Sequence, residues 1–118
     1  MSYRYPLDKD RGHQLMTAEI ASKIPAIGDT DGDQDPLGAT VAVKFFAPGR
    51  YTFYATEFDG DDTLFGYCVS PLGPDCDEWG YASLKELAEM KIWGIPAIER
   101  DIYFGHPTVG EALGKVAA

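Results

Sequence analysis

Short stretches of alternating hydrophobic and polar residues run through the middle of the chain, and this period of two predicts β-strands. In the first stretch, Val41, Val43 and Phe45 share one face. A Pro-Gly pair and an Asp-Gly pair separate the first three stretches, so these should pair as an antiparallel meander. The stretches with this pattern are residues 40–46, 51–58, 63–69, 78–82 and 97–104.

Three segments with helical spacing lie around these strands, and each begins with a residue that can cap a helix. Thr17 is the candidate cap of the first helix. Ser83 and Glu86 have the spacing of a capping box, and Thr108 with Glu111 repeats it. The predicted helices cover residues 17–24, 83–90 and 106–113.

These elements predict an α+β fold, in which a small curved antiparallel sheet of about five strands packs with two or three short helices. Residues 1–15 show no period and carry mixed charge, which predicts a flexible N-terminal extension. Residues 16–118 then form a single α+β domain, because a chain of 118 residues can bury one core of modest depth. Gly66, inside the third strand, predicts a β-bulge or a close approach of two backbones.

Composition and charge narrow the class of protein. Hydrophobic residues make up 45% of the chain, which excludes bulk disorder, and no apolar run approaches the ~18 residues of a membrane helix. The first residues lack the apolar centre of a secretory signal, so we expect a cytoplasmic protein with reduced Cys68 and Cys76, although a bridge between them stays open. A net charge of −9 argues against nucleic acid or an anionic membrane as a direct partner.

The acidic stretch DTDGDQD has the spacing of a calcium loop but lacks its key residues. An EF-hand loop needs Gly at position 6 and Glu at position 12. Counting from Asp29, those positions hold Gln34 and Thr40, and the register that starts two residues later fails as well. The stretch therefore predicts a polar loop, with weak cation binding as the alternative.

The predicted meander brings acidic residues together. The first strand starts at the end of the sheet where the second finishes, so loop 28–37 and turn 59–62 should lie near one another. Such an acidic pole suits a protein partner with a basic surface, or a cation. The carboxylates expected at the acidic pole are Asp29, Asp31, Asp33, Asp35, Asp59, Asp61 and Asp62.

The stretch IERDIYF holds the densest candidate chemistry. Glu99 and Asp101 share one face of the predicted strand, where two carboxylates could hold a divalent ion or divide acid and base duties, with Arg100 steering an anion. The alternative is an edge strand in which Arg100 pairs with Glu57 or Glu78 across the sheet. The chain shows no phosphate loop and no nucleophile elbow.

The remaining reactive and aromatic residues have simpler interpretations. His13 and His106 are interpreted as surface histidines, and Cys68 as a buried strand thiol. Trp79 and Trp93 are interpreted as core and rim aromatics of the sheet, because a platform for stacking bases would need flanking basic residues.

Five motifs, in order along the chain, resemble a bacterial family known as the domain of unknown function numbered twenty-nine fifty-eight. They are VKFF, YATEFD, LFGYCV, EWGYASLKEL and IERDIYF, and the resemblance covers roughly residues 15–113. It implies a setting on plasmids and other mobile elements, near antirestriction and conjugation genes, but no established activity. The acidic loop and the N-terminal extension lie outside the family pattern. The better candidates for a site common to the family are therefore Glu57, Trp79, Glu99, Arg100 and Asp101.

Three functions remain open from the sequence. The leading one is a small acidic, non-enzymatic interaction protein of a mobile genetic element that needs no cofactor and binds a basic protein surface, for instance as an antirestriction inhibitor that mimics DNA. The second is a small metal-dependent hydrolase or nuclease with Glu57, Glu99 and Asp101 as ligands. The third is a regulatory module that binds a small ligand in the curve of the sheet.

Overall fold

The computed structural model describes residues 3–29 and 36–114. The strands are β1 (Val43–Phe46), β2 (Thr52–Phe58), β3 (Thr63–Val69), β4 (Glu78–Ser83), β5 (Lys91–Ile92), β6 (Ile95–Pro96) and β7 (Glu99–Arg100). The helices in these residues are α1 (Asp8–Arg11), α2 (Ala18–Lys23), α3 (Leu84–Glu89) and α4 (Val109–Ala112). Five strands form an antiparallel sheet in the order β4-β3-β2-β1-β7, and β5 pairs with β6 as a separate hairpin. The predicted α+β fold is confirmed.

One face of the sheet carries the main hydrophobic core. The register pairs Val43 with Ala55 and Phe45 with Phe53, so that these side chains form one buried layer. Leu15 from the N-terminal segment and the buried stripe of α3 cover this layer. Burying a side chain as large as Phe stabilises the fold by roughly 1.5–3 kcal/mol, so this layer is a main source of stability.

The opposite face carries a second, smaller core. Val41, Tyr54 and Val109 are buried there, and α4 packs over them. Toward β4 this face continues as a group of partly exposed aromatic rings, in which Trp79 stacks on Phe65 with the ring centroids 5.8 Å apart. A sheet covered on both faces explains why β2 is buried along almost its whole length.

Two predicted strands are shorter than the alternation suggests. Val41 was expected on the face of Val43, but its N–H donates to Pro107 O (2.8 Å), and its side chain packs in the second core. In the stretch 97–104, only β7 pairs with β1. This strand ends at Arg100, because the Asp101 carboxylate that follows accepts the N–H of Tyr103 and closes a turn.

The helix caps follow the predicted residues with one difference. The Thr17 side chain accepts the N–H of Ile20, and Thr108 with Glu111 forms a complete capping box. Ser83 accepts the N–H of Glu86 but forms only this half of the predicted box, and its hydroxyl donates to Asp62 instead. Ser83 ends β4 as well as capping α3, which ties the helix to the β2–β3 turn.

The N-terminal segment packs against the domain in the part that the structure describes. Residues 1–15 were predicted to extend from the domain, yet Tyr3, Arg11 and Leu15 are buried. Leu15 is part of the main core, and Tyr3 packs on Phe58 with ring centroids 5.7 Å apart. The sequence signal was missed because this segment buries its apolar side chains singly rather than with a regular period.

The Arg11 guanidinium is the polar centre of this packing. It donates to Ile98 O (2.7 Å) and Ala88 O (2.9 Å) and forms an ion pair with Asp8, whose carboxylate also accepts the N–H of Tyr5. The Arg11 side chain is fully buried, and a buried charge is tolerated when it is paired and hydrogen-bonded in this way.

The cysteines are not bridged. Cys76 is exposed, and Cys68 is half-buried rather than fully buried as predicted. Burial, with the nearby carboxylates of Asp77 and Glu78, raises the pKa of the Cys68 thiol.

Gly66 lies where two backbones approach closely, as its position in the strand predicted. A Cβ atom at Gly66 would lie 2.0 Å from Tyr54 O, whereas a Cβ at Gly80, the partner of Gly66 on β4, would meet nothing within 4 Å. The register between β2 and β3 shifts directly after this point, between Ala55 and Glu57.

We therefore expect Gly66→Ala to lower the free energy of unfolding by about 2–3 kcal/mol, because the strand backbone must move to admit the methyl group. Gly80→Ala is the matched control and should change it by less than about 0.5 kcal/mol. Urea unfolding of both variants measures this. Equal effects of the two changes would contradict the close-approach interpretation.

Replacing Arg11 tests the packing of the N-terminal segment. Arg11→Met keeps the volume but leaves two buried carbonyls and Asp8 without their donor, so we expect a loss of about 3 kcal/mol. Lys9→Met, on the exposed side of the same helix, removes the same charge and serves as the control. Similar urea midpoints for Arg11→Met and the wild type would show that the segment is not part of the folded domain.

Candidate functional site

Four of the seven carboxylates predicted for the acidic pole belong to described residues, and two of them, Asp29 and Asp59, accept hydrogen bonds from the neighbouring backbone. Asp59 accepts the N–H groups of Asp61, Asp62 and Thr63 at 2.8–3.0 Å, which closes the β2–β3 turn. Asp29 accepts the N–H of Ala26 in the segment after α2. Asp31, Asp33 and Asp35 lie outside the described residues.

Two hydrogen bonds bring the segment after α2 to the end of β2. Phe58 N donates to Pro25 O (2.9 Å), and Gly28 N donates to the Glu57 carboxylate (2.9 Å). Asp29 and the turn 59–62 therefore lie at the same end of β2.

The electrostatics of this end agree with fixed negative charges. Burial alone would raise the pKa of Asp59, but the three backbone N–H donors lower it below its usual value. Burial and the carboxylates of Asp62 and Asp8 raise the pKa of Tyr5 to about 12. The Asp59 carboxylate is therefore held in its charged form, and the negative charge at this end can attract a basic surface.

The residues of the shared family motifs do not form one site. Glu57 is buried at the end of β2, Trp79 lies on the aromatic face near β4, and Asp101 forms an ion pair with Lys44 (3.6 Å). Glu99 and Arg100 are neighbours on the edge strand β7, opposite Phe46 and Phe45. Antiparallel partners share a face, so Glu99 and Arg100 point to opposite faces of the sheet.

The three candidate metal ligands are not brought together. Among the described residues, no group of three or more His, Cys, Asp or Glu side chains is placed to hold a metal ion. Glu57 instead holds the segment after α2, and Asp101 holds a turn and a lysine.

Arg100 is held by the N-terminal segment and not by an acidic residue across the sheet. Its guanidinium donates twice to Gln14 O (3.0 and 3.3 Å), and its backbone N–H donates to His13 Nε2 (3.3 Å). His13 is thus half-buried rather than a surface residue, and its burial, together with the Arg100 charge, lowers its pKa.

The feature that the sequence analysis missed is the Trp93 hairpin, residues 91–96, which is β5, a two-residue turn and β6. Trp93 was interpreted as a core or rim aromatic of the sheet, yet it is 96% exposed. Ile92 and Ile95 beside it are 42% and 63% exposed. Exposed apolar side chains grouped in one short segment are a feature of interaction sites.

The backbone of the hairpin turn is strained at the most exposed side chain. Trp93 has φ 56° and Gly94 has φ 78°, as in the type I′ turn that joins two strands across two residues. Asn, Asp or Gly usually occupies the first of these positions, because a larger L-residue costs energy there. The signal was present in the sequence as an X-Gly pair between two isoleucines, but Trp in that pair obscured it.

The base of the hairpin is closed from the N-terminal segment. Ala97 N donates to Met90 O (2.9 Å), and Arg11 bonds the carbonyls of Ala88 and Ile98, one on each side of the hairpin. These hydrogen bonds hold the hairpin that carries the exposed Trp93 in one conformation. Such an ordered hairpin loses less conformational entropy on binding than a flexible loop does.

Replacing Trp93 tests whether the turn is strained. Trp93→Asn places a residue that tolerates positive φ in the turn, so we expect the free energy of unfolding to rise by about 0.5–1 kcal/mol. Tyr103→Asn is the control, because Tyr103 is also almost fully exposed (90%) but has no positive φ. Urea unfolding measures both. A loss of stability in Trp93→Asn, or an equal gain in the control, would contradict the strain.

No helix within residues 3–29 and 36–114 has the length and hydrophobicity to cross a lipid bilayer.

Comparison with known proteins gives a family and no activity. The searches of curated proteins and of solved structures give no significant match. The profile of the family described as "Protein of unknown function (DUF2958)" matches residues 14–110, a span that contains Arg100 and the Trp93 hairpin. Because this match covers most of the chain, the protein belongs to the DUF2958 family.

Proposed function

We propose that this protein is a non-enzymatic interaction protein, whose Trp93 hairpin inserts into an apolar pocket of a partner protein with a basic rim. The observation that carries the proposal is Trp93, whose side chain is exposed and whose backbone has a positive φ in a hairpin with a hydrogen-bonded base. A strained exposed residue costs stability, and such costs persist mainly at functional positions.

The composition of the hairpin supports a role in binding. Trp is the residue most enriched among the side chains that dominate protein–protein affinity. Ile92 and Ile95 flank it and can complete an apolar contact, which would exclude water around the indole. A preformed hairpin presents these three side chains without ordering a loop first.

The charge of the chain supports a basic partner. A net charge of −9 attracts a basic surface over a distance of about one Debye length, roughly 8–10 Å at physiological salt. Of the described carboxylates of the acidic pole, those of Asp29 and Asp59 belong to exposed residues and accept hydrogen bonds from neighbouring backbone N–H groups. In this proposal the acidic pole raises the rate of encounter, and the hairpin contributes most of the affinity.

A narrower form of the proposal names the setting. The family resemblance supports a mobile genetic element in a bacterial cytoplasm, where the basic partner would be a host defence enzyme and the protein an antirestriction inhibitor. Mimicry of DNA is the most specific version, because clustered carboxylates can replace part of the phosphate charge of a duplex.

Affinity capture with matched variants tests the proposal. Tagged wild type, Trp93→Asn and Tyr103→Asn are incubated with lysate of the bacterium that carries the gene, at low and high salt, and retained proteins are quantified. We expect at least one lysate protein that the wild type and Tyr103→Asn retain in equal amounts. Trp93→Asn should retain roughly one tenth of that amount or less. Its retention should also fall at high salt.

The purified partner then gives the affinity by titration calorimetry. Equal affinity of Trp93→Asn and wild type would overturn the role of the hairpin, and salt-independent binding would overturn the role of charge. Sedimentation of the protein alone separates a further outcome, since a dimer that Trp93→Asn dissociates would make the partner a second copy of this chain.

A further inference from the structure

A cleft of about 730 Å³ opens between α2, the segment 38–42 and the end of β7. Its apolar walls include Ile20, Pro25 and Ala42, and its polar wall includes Arg100 and His106. A second cavity of about 160 Å³ continues past the same Arg100 and His106. We call these two the Arg100 cleft. Its volume lies in the range of sites for small organic molecules, roughly 300–1,000 Å³.

Arg100 is exceptional among the basic residues that the structure describes. Arg11, Lys23, Lys44 and Arg50 each form an ion pair with a carboxylate. The described bases with no ion pair are Arg4, Lys9, Lys85, Lys91 and Arg100, and of these only Arg100 is half-buried rather than exposed. In a chain with 19 acidic residues, the most buried of the described cations that lack an ion pair thus lies on the wall of this cleft.

This unpaired guanidinium is nevertheless fixed in direction. Nε and Nη2 both donate to Gln14 O, while Nη1 has no hydrogen-bond partner among the described residues. Burial lowers the pKa of Arg100 although the charge of Asp8 opposes this shift, and no carboxylate of the described residues lies within ion-pair distance as a counter-ion. An oxyanion in the cleft would supply that counter-ion, and the planar guanidinium matches carboxylate and phosphate oxygens.

The other charged groups of the cleft leave this position open to an anion. Asp101 is paired with Lys44, and Glu19 is paired with Lys23, so both acids on the walls already have a cation. His106 lines the same cleft, with Nδ1 3.3 Å from Val41 O. The apolar wall formed by Ile20, Pro25 and Ala42 faces the same volume.

We propose that the Arg100 cleft binds a small organic anion, with its carboxylate or phosphate at the Arg100 guanidinium and its apolar part along Ile20 and Ala42. This site is separate from the Trp93 hairpin, and the proposal does not depend on the partner protein. The family motif that contains Arg100 would then bind a ligand, which the protein either carries or is regulated by.

A titration of the full chain followed by ¹H–¹⁵N NMR tests the site. The probes are phenyl phosphate and benzoate, which share one ring and carry the two oxyanions, and benzyl alcohol as the uncharged analogue, all at constant ionic strength. We expect at least one anion, at millimolar concentration, to shift the amide signals of Ile20, Ala42, Arg100 and His106. The anion that binds more tightly identifies the preferred head group. Benzyl alcohol should shift these signals less than either anion that binds.

Matched variants then test the role of the guanidinium. Arg100→Gln should weaken the anion roughly tenfold to a hundredfold, the range expected for a charge-assisted hydrogen bond. Arg4→Gln makes the same chemical change at an exposed position outside the cleft and should leave the affinity within about twofold, as a screened charge does.

Three results would overturn the proposal. They are the absence of shifts at the cleft with both anions, shifts confined to other parts of the molecule, and equal affinities of Arg100→Gln and Arg4→Gln. If Arg100→Gln does not fold, the wild-type map with the three probes decides, because it locates binding and compares charged with uncharged rings without any variant.

Discussion

The buried guanidinium of Arg11 holds together segments of the chain that are far apart in sequence. It bonds the carbonyls of Ala88 and Ile98 and the Asp8 carboxylate in one place. Only arginine offers several donors in a planar fork of this size, so lysine could not replace it in all three bonds. The hairpin between Ala88 and Ile98 is too short to be stable alone, since two isolated strands are marginal in water. Its geometry therefore depends on Arg11.

The same N-terminal segment positions Arg100. Gln14 O and His13 Nε2 hold its guanidinium and its backbone, three and two residues after Arg11. In this segment, Arg11 thus holds the hairpin of Trp93, and His13 and Gln14 hold Arg100. Trp93 and Arg100 both lie in residues 88–106, a stretch with little regular structure that other segments hold in place by hydrogen bonds.

The acidic residues have a different role from the one that their number suggests. Asp59, Asp62, Asp77 and Glu57 each accept hydrogen bonds that hold a turn, a helix start, an arginine or a loop. Their charge still attracts a basic surface, but their positions are explained by the fold. The charged residue whose position the fold does not explain is a base, Arg100, which is half-buried and has no ion pair with a carboxylate.

The sequence by itself determined the first four strands of the sheet, the antiparallel pairing of the first three and the caps of α2 and α4. These follow from local rules, namely a period of two, short turns, and hydroxyl groups before a helix. Gly66 was identified for the same reason, because a glycine inside a strand has few local explanations. Tertiary structure alone decided the packing of residues 3–15, the exposure of Trp93 and the isolation of Arg100. These features depend on which distant side chains meet, and local periodicity carries no information about contacts between residues almost ninety positions apart in the chain, such as Arg11 with Ile98.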